Sequence, residues 1–121
     1  MDSSYNASPE TTKQALKLLQ DFPAKRKIAV LGNMNELGKS SHEEHYEIAN
    51  YIDEMWLDEL ITVGDLAHMI ASKALKKGFP KSRIKILQTA NEAGEYLLSK
   101  KIGKNNVILF KGSQNRVRLE R

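Results

Sequence analysis

The sequence predicts an α/β domain built on a mostly parallel sheet with helices on both faces. Two observations carry this. Four short apolar runs rich in β-branched residues, Ile28 to Leu31, Leu60 to Val63, Ile84 to Leu87 and Val107 to Phe110, have the length and composition of buried strands. The segments between them show helical spacing, so successive strands are joined by helix-length crossovers, the connection a parallel right-handed sheet needs.

Taken in order, Ser8-Pro9 marks the first helix start, because proline suits a first-turn position whose N–H has no partner anyway. Ala15, Leu18, Leu19 and Phe22 give that helix an apolar face. After the first strand, Ser41 followed by Glu44 has capping-box spacing, and Ile48, Ile52 and Met55 continue the stripe. Leu66, Ile70 and Ala74 mark a third helix, and Gly78-Phe79-Pro80 reads as a helix-to-strand turn. Thr89 with Glu92 opens a fourth. The result is a Rossmann-like order of helix, strand, helix, strand throughout. Asp2 to Asn6 reads as a short edge strand or an entry loop.

With 121 residues the chain, 1–121, is expected to form one domain with one core. Apolar residues at 40% and charged residues at 28% fit a folded soluble protein. No apolar run approaches the roughly 20 residues a membrane span needs, and no signal peptide opens the chain, so a cytoplasmic address and no membrane partner are expected. The absence of cysteine excludes disulfides, thiol nucleophiles and Cys-based zinc sites. The net charge of +4 is a modest excess that gathers after Lys73. It reads chiefly as solvated surface, and a noncatalytic module binding an anion or nucleic acid is the alternative it leaves open.

In an open parallel sheet, ligands bind beyond the C-terminal ends of the strands. That rule selects the loops Gly32 to Ser41, Gly64-Asp65, Gln88-Thr89 and Lys111 to Asn115. The first contains Gly38-Lys39-Ser40, yet Gly32 and Gly38 are one residue too far apart for a phosphate loop. Lys111-Gly112-Ser113 combines a cation, a flexible backbone and a hydroxyl, a set able to hold a carboxylate or phosphate. His42, His45 and His68 lack the spacing of a helical metal site, so no metal ligands are assigned. Tyr46, Tyr51 and Trp56 read as packing residues rather than a base-stacking platform.

Four ordered blocks also carry a family resemblance. Asp2 to Pro9 resembles the D-D-S-Y-N-A-N-P signature of the C-terminal domain of MurF-type Mur ligases. Ile28 to Gly38, IAVLGNMNELG, is similar to I-A-V-L-G-D-M-x-E-L-G, with His45 at the family's place in the following helix. Leu60 to Gly64 resembles the next strand and turn, and Phe110 to Ser113 resembles V-K-G-S. The blocks span nearly the whole chain. The tail, Gln114 to Arg121, departs from the family's usual continuation.

The resemblance implies the lid and substrate-positioning domain of a ligase that joins D-alanyl-D-alanine to UDP-N-acetylmuramoyl-tripeptide. ATP and magnesium activate the substrate carboxylate as an acyl phosphate, and both would be held mainly by a central ATPase domain. That domain and the N-terminal UDP-sugar domain are absent from this chain, so it is expected to be inactive alone, with no catalytic residue of its own. Its implied partners are the central domain, ATP, the dipeptide and the UDP-sugar peptide, with nucleic acid not expected. The resemblance also assigns residues. Asp2, Tyr5 and Asn6 would face the ATP adenosine, Asn33, Glu36, Lys111 and Ser113 the incoming dipeptide, and His45 would stand behind them. Ser3, Ser8 and Asn33 depart from the Asp, Asn and Asp of the family pattern, which removes two carboxylates from the implied ligand face.

Overall fold

The computed structural model describes residues 8–34, 41–100 and 102–112. The chain runs through α1 (Pro9–Asp21), β1 (Arg26–Gly32), α2 (Ser41–Ile48), β2 (Glu59–Val63), α3 (His68–Lys76), β3 (Ile84–Leu87), α4 (Ala90–Leu98) and β4 (Asn106–Lys111). Short 3-10 turns at Ala49–Tyr51 and Lys81–Arg83 precede β2 and β3. All four strands pair in parallel, in the order β3-β2-β1-β4. The predicted α/β class and all four strand positions are as expected.

Side-chain alternation divides the core between the two faces of the sheet. On one face Ala29, Leu31 and Leu60 meet Leu16 and Leu19 of α1, Ile48 of α2, and Ile70 and Ala74 of α3. On the other, Ile28, Val30 and Ile61 meet Ala93 and Leu97 of α4. This division follows from topology. The chain steps outward from β1 to β2 to β3 with its helices on one face, then returns past β1 to β4. A right-handed return has to cross on the opposite face, where α4 lies.

The helix ends form as local chemistry dictates. Ser8 and Thr11 cap α1 reciprocally, as do Thr89 and Glu92 for α4. Behind α3, Gly78 adopts φ 106°, donating its N–H to Leu75 while Phe79 donates to Ala74, a pairing that needs a left-handed residue between them. α2 begins at Ser41 itself, and the expected Ser41 capping contact lies outside the described side chains.

Three expectations are corrected. The buried stripe of α1 is Thr12, Leu16 and Leu19, whereas Leu18 and Phe22 are exposed, because the helix turns its i, i+4, i+7 row to the sheet. Met55 lies in a turn past the end of α2 and is exposed, so it belongs to no helical stripe. β3 and β4 are edge strands and only partly buried, since each has a neighbour on one side only. The Asp2 to Asn6 segment lies outside the described residues.

Candidate functional site

The strand order reverses between β1 and β4, the position at which sheets of this kind hold ligands. There the two backbones nearly touch. A Cβ placed on Gly32 would lie 3.2 Å from the Cα of Gly112, and one on Gly112 would lie 3.3 Å from the Cα of Gly32. Glycine at both positions lets β1 and β4 converge where they leave the sheet.

Next to this crossing, the loop leaving β1 is held from two sides. Asn33 Oδ1 accepts the backbone N–H of Ala67 at 2.9 Å, joining the loop to the entry of α3. The Asn33 side chain lies over Gly64, where φ is 100° and a Cβ would come within 2.7 Å of Asn33 Oδ1. One residue on, the Met34 N–H donates to His45 Nε2 at 2.8 Å. His45 is fully buried and accepts at Nε2, so its ring is fixed behind the loop as a neutral tautomer. Thr12 Oγ1 reaches Met34 Sδ at 3.8 Å, which brings the first turns of α1 to the same place.

Lys111 completes the edge. It ends β4 on the face shared with Val107 and Leu109, is half-buried, and is paired with no carboxylate among the described residues. Burial pulls its ammonium below the ordinary lysine value.

At the opposite, N-terminal edge the charges are answered internally. Glu59 is buried beneath the Tyr96 hydroxyl, which donates to it, with Lys100 at 3.3 Å and Arg26 at 3.7 Å. Burial, and then the bond to Glu59, raise the Tyr96 phenol, while its bond to Tyr96 raises Lys100. Arg83 donates to the carbonyls of Glu54, Leu57 and Asp58. By contrast, Lys111 at the C-terminal edge has no such partner among the described residues.

Of the residues assigned from sequence, Asn33, Lys111 and His45 are described, and the geometry gathers Asn33 and Lys111 on one edge with His45 behind it. Asp2, Tyr5, Asn6, Glu36 and Ser113 lie outside the described residues. Among the described residues no three His, Asp or Glu side chains converge as metal ligands: His42 is exposed and His45 faces inward. Tyr46, Tyr51 and Trp56 each have a lysine of this chain over the ring, respectively Lys73 at 4.9 Å, Lys13 at 5.5 Å and Lys27 at 5.9 Å.

A family model described as Mur ligase, glutamate ligase domain, matches residues 2–114. The chain belongs to that family. The relatives it matches include UDP-N-acetylmuramoyl-tripeptide--D-alanyl-D-alanine ligases. The one from Rickettsia prowazekii is 32% identical over 91% of this chain and 23% of its own length. The one from Bacillus subtilis is 32% identical over 94% of this chain and 25% of its own length. MurF from Acinetobacter baumannii superposes with a TM-score of 0.73 at 31% identity, covering 93% of this chain and 24% of that one. MurF from Thermotoga maritima, solved in complex with ADP, gives 0.68 at 30% identity, covering 93% of this chain and 24% of that one. The chain thus spans about a quarter of the relatives it matches, and it corresponds to the C-terminal domain of MurF-type ligases. Among the described residues no helix is long and apolar enough to cross a membrane.

Sequence reasoning passed over two features of this edge. One is the support Asn33 gives to α3, which no local pattern announces because its partner is 34 residues away. The other is His68, set aside with the metal question. Its ring meets Thr62 Oγ1 at 3.1 Å and Gln88 Nε2 at 3.4 Å, contacts that exist only once β2, β3 and α3 are assembled.

Proposed function

We propose that this chain is the lid and substrate-positioning domain of an ATP-dependent ligase that adds D-alanyl-D-alanine to UDP-N-acetylmuramoyl-tripeptide. The observation carrying this reading is Lys111, a half-buried ammonium with no carboxylate partner among the described residues, beside the Gly32–Gly112 crossing. A dipeptide carboxylate is the anion it would pair with, because a desolvated ammonium gains most from a charge-assisted hydrogen bond.

The domain's contribution is orientation. Held by its carboxylate, the dipeptide presents its amine to the activated carbonyl; an amide bond forms, phosphate leaves, and the amine gives up a proton. Fixing that geometry and excluding water on closure can supply much of the rate without any reacting group on this chain. ATP and magnesium supply the activation of the carboxylate and would be held mainly by the central domain. Asp2, Tyr5 and Asn6 would meet the adenosine, and Glu36 and Ser113 would join Asn33 and Lys111 at the dipeptide.

The chain incubated with ATP, magnesium, UDP-N-acetylmuramoyl-tripeptide and D-alanyl-D-alanine is expected to release no phosphate. Titration with the dipeptide alone is expected to shift the Lys111 and Gly112 resonances, and Lys111→Met to abolish that response. Turnover by the isolated chain, or a dipeptide response indifferent to Lys111, would refute the reading.

A further inference from the structure

At the other end of the same edge, His68 is arranged as an acceptor. An amide nitrogen only donates, so the contact with Gln88 Nε2 makes His68 Nε2 the accepting nitrogen and leaves the ring proton on Nδ1, toward the Thr62 hydroxyl. Burial lowers the His68 pKa and favours the neutral ring, while the nearby Asp65 carboxylate works the other way by favouring the protonated one. Gln88 is exposed and its contact is long, so a better donor can displace it.

A helix start ordinarily favours anions, but here its amides are taken. Ala67 donates to Asn33 Oδ1, His68 to Gly64, Met69 to Leu66 and Ile70 to Ala67. The groups left at this helix start are His68 Nε2, met only by the exposed Gln88 amide, and the exposed Asp65 carboxylate, a set that suits a cation carrying N–H donors.

The register fixes how far this acceptor stands from Lys111. Leu31 pairs with Thr62 on one side and with Lys111 on the other, so the three form one row across β2, β1 and β4. Neighbouring strands lie about 4.8 Å apart, placing Thr62 and Lys111 roughly 10 Å apart at the backbone. Two extended residues span about 7 Å, and the Lys111 and His68 side chains close the difference.

We infer that His68, with Asp65, binds the α-amine of a zwitterionic dipeptide whose carboxylate is held at Lys111. This inference rests on the dipeptide-facing reading of the edge and adds the polarity of the bound ligand. His68 accepts a hydrogen bond from the amine and fixes the direction in which that amine points.

The test uses the whole chain, isotope-labelled, titrated with D-alanyl-D-alanine and with its N-acetyl derivative. The free dipeptide is expected to shift both the His68 Nε2 resonance and the Gly112 amide, and the acetylated one to shift Gly112 only. His68→Gln is expected to weaken the free dipeptide about tenfold, the scale of one charge-assisted hydrogen bond, while leaving the acetylated dipeptide unchanged. A merely structural His68 would weaken both alike, and that result overturns the inference. So does a free dipeptide that shifts Gly112 without His68, an outcome that spares the reading of Lys111. No shift with either ligand overturns both.

Discussion

The carboxamide oxygen of Asn33 accepts the backbone N–H of Ala67 at 2.9 Å, fastening the loop that leaves β1 to the chain that enters α3. Ala67 is fully buried, and a buried N–H deprived of its acceptor costs about 1–3 kcal/mol. Asn33→Ala should destabilise the domain by about that amount in urea denaturation. Asn33→Asp retains an acceptor oxygen at the same place and should cost clearly less. Equal losses for the two variants would show that the bond is not what Asn33 contributes.

Gly64 and Gly94 should respond to alanine with opposite signs. At Gly64 φ is 100° and the new Cβ would fall 2.7 Å from Asn33 Oδ1. The left-handed backbone alone costs an ordinary residue roughly 1–2 kcal/mol, and displacing Asn33 adds to it. At Gly94, inside α4, a Cβ meets nothing within 4 Å. Gly94→Ala should therefore stabilise by about 0.5–1 kcal/mol. Thermal unfolding of the two variants reads the signs directly, and a shared direction would contradict the geometry.

The elements were legible because their signals are local. The runs around Val30 and Ile61, the Thr89–Glu92 box and the Ser8-Pro9 start each lie within a few residues, and each formed where read. The α1 face was misread because Leu18 and Phe22 satisfy helical spacing as well as Leu16 does. Only the position of the sheet decides which row is buried. The site was legible in part for the same reason. Lys111 and Asn33 stand at strand ends, which the parallel-sheet rule selects, but the bonds that give Asn33 and His68 their surroundings join residues far apart in sequence. That Lys111 pairs with no described carboxylate is likewise a property of the assembled edge.

His45 offers a test of how the loop is held. Its ring is fully buried and receives the Met34 N–H at 2.8 Å. His45→Ala removes both the acceptor and the volume, and should destabilise by about 2–4 kcal/mol. Hydrogen exchange separates the two effects. The Met34 amide should lose protection more than the neighbouring β1 amides do, whereas a uniform loss along β1 would mean that the ring serves packing alone.

The lowered pKa of His68 fixes the sign of a pH dependence. Burial favours the neutral ring, so near and below the ordinary value of 6.5 the unfolded chain binds more protons at this residue than the folded one. Stability at this group is therefore intact above 6.5 and is lost as pH falls from there through the lower folded value. His68→Gln should flatten that part of the stability profile, measured by chemical denaturation at a series of pH values. Asp65 acts in the opposite sense, since its carboxylate favours the charged ring. Asp65→Asn should thus steepen the same decline and carry it to lower pH, because the ring then lacks the charge that eases its protonation. An unchanged decline in Asp65→Asn would mean that Asp65 does not face His68 in solution, and it would remove the carboxylate from the amine site proposed above.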